Sequence, residues 1–323
     1  MSWASRVAGS KSAALAPAPA PQPAPPKLTT PAPTDEEVKS LRHACDRLWA
    51  LDDNRLVIGR DVVLNLQGKK FRPSDLSDCA SQPLFASIDP SVWRRPTFAC
   101  FGALLDNYEA LCGRAEQATQ QERQEETAFL NAVCVTRCMQ YAHAFLVANG
   151  KAPRDEQAWR SLLHKLWFQM YRRTSGGPID SSGFEHVFVG EVKEGQVIGC
   201  HNWIQILVEE SKKTLDYKGY YPPRRSKRPS APGLLLESPH LMTIMFTWHA
   251  VAKTLGSNFI AVSPEFELAL CVHTAPPTPN TRARARAVDQ HRAMPAALAL
   301  AQHDALPQVH YGVSAGGRGQ ALG

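Results

Sequence analysis

Through the first half of the chain apolar residues return every three to four positions, and beyond about residue 176 they gather into short strand-like runs between Gly and Pro. Val38, Leu41, Cys45 and Leu48 share one helical face behind Thr34, whose partner three residues on, Glu37, completes a capping-box pattern. Thr97, after Pro96, is placed to cap a second helix carrying Phe98, Phe101, Leu104, Leu105, Tyr108 and Leu111, ending before Gly113. A third amphipathic run extends from Glu125 to Asn149 (Phe129, Val133, Cys134, Met139, Ala142, Leu146) and is closed by Gly150. A fourth, from Asp155 to Arg172, lines up Trp159, Leu162, Leu163, Leu166, Trp167 and Met170. Turn residues from Thr174 to Pro178 mark the change of texture. The pattern predicts an α+β protein, with a helical half over 34–175 and a β-rich half over 176–273.

Two flanks stand outside this pattern. Residues 1–33 are an Ala/Pro-rich segment that cannot pack a core, and 274–323 are rich in Ala, Pro and Arg (Arg282, Arg284, Arg286), so both read as disordered. The remainder of the 323 residues, in a chain that is 44% hydrophobic, suffices for a substantial core without disulfide staples. Lys plus Arg exceeds Asp plus Glu by 36 to 30, a net +6 that permits a polyanionic partner. No apolar stretch approaches the roughly 18 residues of a membrane span, and no secretory leader is evident. The eight cysteines form no Cys-x-x-Cys pair and read as free buried thiols. A cytoplasmic monomer is expected, with secretion as the alternative should the N-terminus differ. Cys134 and Cys138 are four apart, yet without a second pair they read as helix packing rather than a metal half-site, and His143 and His164 as structural.

Chemistry concentrates in Asp180-Ser181-Ser182-Gly183-Phe184-Glu185-His186-Val187-Phe188-Val189-Gly190-Glu191, followed by Gly199-Cys200-His201-Asn202-Trp203. Aromatic and β-branched enrichment reads Phe184 to Val192 as a strand, whose alternation turns His186 away from Glu185 and Glu191. Glu194-Gly195 offers a tight turn that returns the chain through Val197 and Ile198 to His201. The helical spacing of Trp203, Ile204, Leu207 and Val208 sets His201 at a helix N-terminus, where the dipole favours a neutral imidazole. A neutral His201 as general base and a protonated His186 as general acid, or the same two with the roles exchanged, are the pair that phosphodiester transesterification needs, with a cation to stabilise the phosphorane. Lys193, Lys212, Lys213, Lys218 and Lys253 are candidates for that cation. Two competing readings are a purely structural histidine pair and a metal site of His186, His201 and Glu191, which the opposed strand faces weaken. The basic run from Pro222 to Pro229 (Arg224, Arg225, Lys227, Arg228) could touch phosphates or simply be solvated; Tyr217, Tyr220 and Tyr221 read as packing beneath it, and Trp203 and Trp248 as core.

Ser181 to Lys193, Gly199-Cys200-His201-Asn202-Trp203-Ile204 and Ser263-Pro264-Glu265-Phe266-Glu267-Leu268-Ala269-Leu270 resemble the EndoU family of uridylate-specific endoribonucleases. Leu105 to Glu109 and Leu166-Trp167-Phe168 extend the likeness, which runs from about residue 35 to about 272. The resemblance implies a helical half followed by a β-rich catalytic half, and cleavage of single-stranded RNA at uridylates with 2′,3′-cyclic phosphate ends, dependent on Mn²⁺. It also implies catalytic roles for His186, His201 and Lys253, uracil recognition by Ser257, and supporting roles for the acidic Glu185 and Glu191; it supplies no metal ligands. Family members continue past the equivalent of Val272 with strands that complete the uridine pocket, and residues 274–323 do not resemble them. That departure motivates a second functional reading, an RNA-binding protein impaired in catalysis.

Overall fold

A computed structural model describes residues 32–172, 176–222 and 240–274. The Ala/Pro-rich start, the four cations of the basic run and the C-terminal tail lie outside the described residues. Thr34 caps helix α1 (Asp35–Lys39) through the expected box with Glu37, but Ser40 ends that helix and caps α2 (Leu41–Ala50) with its own hydroxyl. The expected single helix is therefore two. Ala44, Cys45, Leu48 and Trp49 carry the buried face of α2.

Strands β1 (Val62–Leu64) and β2 (Phe85–Ile88) form a small antiparallel pair. Helix α3 (Pro96–Leu104) begins at Arg95 with Pro96 in its first turn, and Thr97 is buried inside it instead of capping it. It stops at Leu104, seven residues short of the expected end, because Asp106 and Asn107 follow: Asn107 turns its side chain to Glu125 Oε2 (3.0 Å). The run from 125 to 149 is likewise two helices, α4 (Gln120–Cys134) and α5 (Arg137–Ala148), separated where Thr136 caps the second. Cys134 and Cys138 thus sit on different helices. Asp155 caps α6 (Glu156–Trp167). His143 stacks on Trp159 and His164 pairs with Glu126, structural uses in both cases.

After a π-helical turn over Glu185–Val189 come the hairpin strands β3 (Glu191–Lys193) and β4 (Gln196–Ile198), then α7 (Trp203–Ser211). An antiparallel meander follows, β5 (Leu215–Tyr221), β6 (Leu241–Trp248) and β7 (Val251–Phe259). Helix α8 (Pro264–Thr274) then runs back against α2 and α5. Residues 264–273 of α8 are all buried, which is the signature of a helix enclosed by the core rather than laid on it. Trp203 ties the layers together, packing against Phe85 and Phe98 and donating its indole N–H to Val262 O (2.9 Å). Helices and sheet therefore share one contiguous apolar cluster running from Ala44 to Val272, with Trp203 and Trp248 buried in it as expected.

Candidate active site

The segment that the sequence reads as one strand is helical where it matters. Ser182 and Glu185 form a reciprocal capping box: the Ser182 N–H donates to Glu185 Oε2 and the Glu185 N–H to Ser182 Oγ, both 3.1 Å. The Gly190 N–H closes on Glu185 O (2.7 Å), five residues back, which makes this a π turn. Gly190 ends it at φ +92°. The turn overturns the alternation argument, because it brings His186 onto Glu191. His186 Nδ1 lies 2.8 Å from Glu191 Oε2, and Glu191, fully buried, accepts from Ser181 Oγ (2.7 Å) and Cys112 Sγ (3.6 Å) on its other oxygen. A carboxylate can only accept, so Nδ1 of His186 carries hydrogen.

The hairpin returns through Glu194 and Gly195 at φ 50° and 74°, the tight turn read from the sequence. Its far end abuts the π turn closely: a Cβ on Gly199 would lie 1.6 Å from His186 O, and one on Gly190 2.4 Å from the Cys200 Cβ. Only glycines allow the two segments to meet in this way. The His201 N–H then donates to Val187 O (3.1 Å), which sets both histidines on one backbone junction.

Asn202 caps α7 with Oδ1 and donates Nδ2 to Glu267 Oε2 of α8 (2.5 Å), so His201 immediately precedes the helix, as expected. His201 Nδ1 donates to Ser257 O on β7 (3.0 Å), and Nε2 is left with its lone pair. The imidazole is pushed down to about 3, first by burial, then by the Lys253 charge, with the Ser257 hydrogen bond opposing and His186 adding a smaller push. The ring is neutral, as the sequence argument required, but desolvation and a neighbouring cation do the work assigned there to the helix dipole.

Of the candidate cations Lys253 reaches the histidine junction: its Nζ donates to Gly199 O (2.6 Å) and Val197 O (3.3 Å), and its charge acts on His201. Burial holds its ammonium below the ordinary lysine value. Lys218 is committed to Asp78 and Asp216, Lys212 to Glu209, and Lys193 to Glu194. Ser257 lies four residues further along β7, its Oγ 2.9 Å from Thr243 Oγ1. Tyr217 and Tyr221 spend their hydroxyls on Leu66 O and Thr254 O, in keeping with a packing role.

The acidic pair does not build a metal centre. Glu185 is occupied in the capping box and Glu191 in holding His186, and no group of three or more His, Cys, Asp or Glu side chains among the described residues is arranged to hold a metal ion. The donors among the described residues therefore do not form a ligand set for Mn²⁺. Asn202, Glu267 and Ser181 are the supporting residues that sequence reasoning missed. Each acts through a contact between distant segments; only the Asn202 position ahead of a helical run could have signalled its cap.

A mixed helix-and-sheet fold in which two histidines and a lysine converge on one backbone junction is the class these features define. Residues 40–290 match the family model described as Endoribonuclease XendoU, past residue 272 where the quoted motifs end. The poly(U)-specific endoribonuclease of Xenopus tropicalis is 42% identical over 231 residues, covering 70% of this chain and 77% of that protein. Uridylate-specific endoribonuclease B of Danio rerio is 40% identical over 255 residues, covering 77% and 87%. The solved structure titled as that of XendoU, a splicing independent snoRNA processing endoribonuclease, superposes with a TM-score of 0.61 at 41% identity, covering 72% of this chain and 81% of that one. The chain belongs to the XendoU endoribonuclease family.

Proposed function

We propose that this protein is an endoribonuclease that cleaves single-stranded RNA on the 3′ side of uridylates by transesterification. The observation that carries the proposal is the differentiated pair of histidines, one imidazole kept neutral with a free Nε2 and the other backed by a buried carboxylate, on one junction beside Lys253. His201 Nε2 takes the proton of the ribose 2′-hydroxyl, and that oxygen forms its bond to phosphorus. The bond from phosphorus to the 5′-oxygen breaks as His186 Nε2 delivers its proton there, and Glu191 complements the charge on the His186 ring before transfer. Lys253, with two donors fixed on Gly199 O and Val197 O, offers its positive charge to the phosphorane. The products are a 2′,3′-cyclic phosphate and a free 5′-hydroxyl. The Ser257 and Thr243 hydroxyls, 2.9 Å apart, are suited to donate to and accept from the polar edge of uracil.

No step runs through manganese. A manganese requirement stays within the proposal on the family resemblance alone, without a ligand set among the described residues, and a cytoplasmic location stays within it on the unpaired cysteines. The complete histidine and lysine arrangement favours catalysis over the reading as an RNA binder impaired in catalysis. His201→Ala tests this: loss of cleavage with RNA affinity retained supports the enzyme, whereas an intact chain that binds uridine-containing RNA in a salt-dependent way and yields no product overturns it.

A further inference from the structure

Strand β5 is flanked on its outer side by a loop of its own. Lys70 N donates to Tyr220 O (2.7 Å) and Tyr220 N to Gly68 O (3.2 Å), while Gly68 N reaches Cys79 O (2.9 Å) and Cys79 N reaches Lys218 O (3.1 Å). Residues 68–70 thereby run alongside β5 like a further strand. The Lys70 side chain is fully buried, an expensive position for an ammonium, and its Nζ is satisfied by Ser77 O (2.7 Å), Ser77 Oγ (3.4 Å) and Asp75 (3.6 Å). The loop from 71 to 78 is folded down over this buried cation through Ser77 and Asp75.

What this frame presents to solvent is unusual. Phe71 is 72% exposed and Leu76 61%, and Lys69 and Arg72 stand exposed on either side of the buried Lys70 and the bare Phe71. The loop's own acids are committed elsewhere, Asp75 to Ser77 and Lys70 and Asp78 to Lys218, whereas Lys69 and Arg72 have no ion pair among the described residues. An exposed aromatic ring flanked by two cations without an ion pair among the described residues is the pairing that holds a base by stacking and its neighbouring phosphates by charge.

Its location gives it a use. Tyr221, Thr243 and Ser257 are register partners across β5, β6 and β7 and so lie on one face of the sheet. Lys70 shares that side, its Cγ being 3.1 Å from where a Gly219 Cβ would stand, whereas Lys69, bridge partner of Tyr220, stands on the other, so RNA running between the two sites passes around the outer edge of the sheet. The bridge between Lys69 and Tyr220 and the bond from Lys70 N to Tyr220 O fix the base of this loop against the end of β5. The loop is thus roughly 14 Å from Ser257, three strand spacings of about 4.8 Å.

We infer that Lys69, Phe71 and Arg72 form an outlying subsite that holds single-stranded RNA a few nucleotides away from the uridine at Ser257. The inference rests on the ribonuclease reading of the site, and its test uses binding alone. Full-length wild-type, Phe71→Ala and Lys69→Ala/Arg72→Ala proteins are titrated with fluorescent oligodeoxyuridylates of 3 and 12 nucleotides, which lack the 2′-hydroxyl and cannot be cleaved. The wild type is expected to bind the 12-mer more tightly than the 3-mer. Phe71→Ala should lose about 5-fold or more for the 12-mer, the low end of base–aromatic stacking, and should leave the 3-mer within 2-fold. The double variant should lower the salt slope for the 12-mer by about 1.4, two contacts at about 0.7 each on a single strand. Because these side chains are solvent-exposed, circular dichroism should show wild-type folding. Unchanged 12-mer affinity in a folded Phe71→Ala, equal losses for both lengths, or a change of oligomeric state at constant RNA affinity would each overturn the subsite. Weakened 12-mer binding in a protein that cleaves no RNA would leave the subsite standing and remove the proposed activity.

Discussion

Gly199→Ala should disable the site without touching a titratable group. Gly199 has φ +65°, where an L side chain costs about 1–2 kcal/mol. The added methyl would also start 1.6 Å from His186 O, a backbone atom that cannot rotate away, whereas ordinary contact begins at 3.4 Å. Relief requires the π turn and the β4–α7 junction to separate by about 2 Å, at an overpacking cost of about 1–3 kcal/mol. That motion moves His186 relative to His201 and withdraws Gly199 O from Lys253 Nζ. Misplacement by about 1 Å already costs about 100-fold in rate, so kcat/KM on a uridine-containing oligonucleotide should fall at least that far. A total of about 3 kcal/mol should lower the melting temperature by about 6–12 °C. Gly195→Ala supplies the control: its φ of +74° carries comparable strain, but nothing lies within 4 Å of the new methyl. That variant should melt about 2–4 °C lower for about 1 kcal/mol and cleave like the wild type. Calorimetry and steady-state cleavage on both proteins decide the matter. Equal activity in the two variants would show that the Gly199 junction does not set the histidine geometry.

Two pH experiments follow from the buried titratable groups. His201 is pushed down to about 3 when folded, chiefly by burial, so the unfolded chain binds its proton first and this residue erodes stability as pH falls from about 6.5 through 3; His201→Asn should flatten the acid side of a pH-stability curve, and an unchanged slope would contradict the assignment. Asp52, which accepts from the Ser263 N–H just ahead of α8, is raised to about 7 by burial, with its bonds to Ser263 opposing; stability is lost as pH rises from about 4 to 7, so Asp52→Asn should be more stable than wild type in urea at pH 8 and lose that advantage near pH 4.

Much of the site was legible because it is local. His201 before a helix start, the Glu194-Gly195 turn and the Thr34 box are short-range patterns whose physics lies in adjacent residues. The error at 184–192 is also local: Ser182 and Glu185 spell a capping box, but Phe184, Val187, Phe188 and Val189 spell a strand, and the cap prevailed because tertiary contact buries those side chains on either backbone. The links from His186 to Glu191, from Lys253 to Gly199 and from Asn202 to Glu267 depend on where the π turn, the sheet and α8 meet, which periodicity does not encode. The apolar run of α8 with its two buried glutamates gave no amphipathic signal for a related reason: a helix enclosed on all sides has no polar face to read.

The most direct test of the central claim reads the ends of the products. The intact chain and its His186→Ala variant are incubated with a uridine-containing RNA oligonucleotide, with EDTA or with Mn²⁺, and the fragments are weighed by mass spectrometry. Fragments ending in a 2′,3′-cyclic phosphate after uridine, paired with 5′-hydroxyl ends and absent from the variant, are the expected result. Linear 3′-phosphates as the first products, or undiminished cleavage by His186→Ala, would contradict transesterification by this pair of histidines.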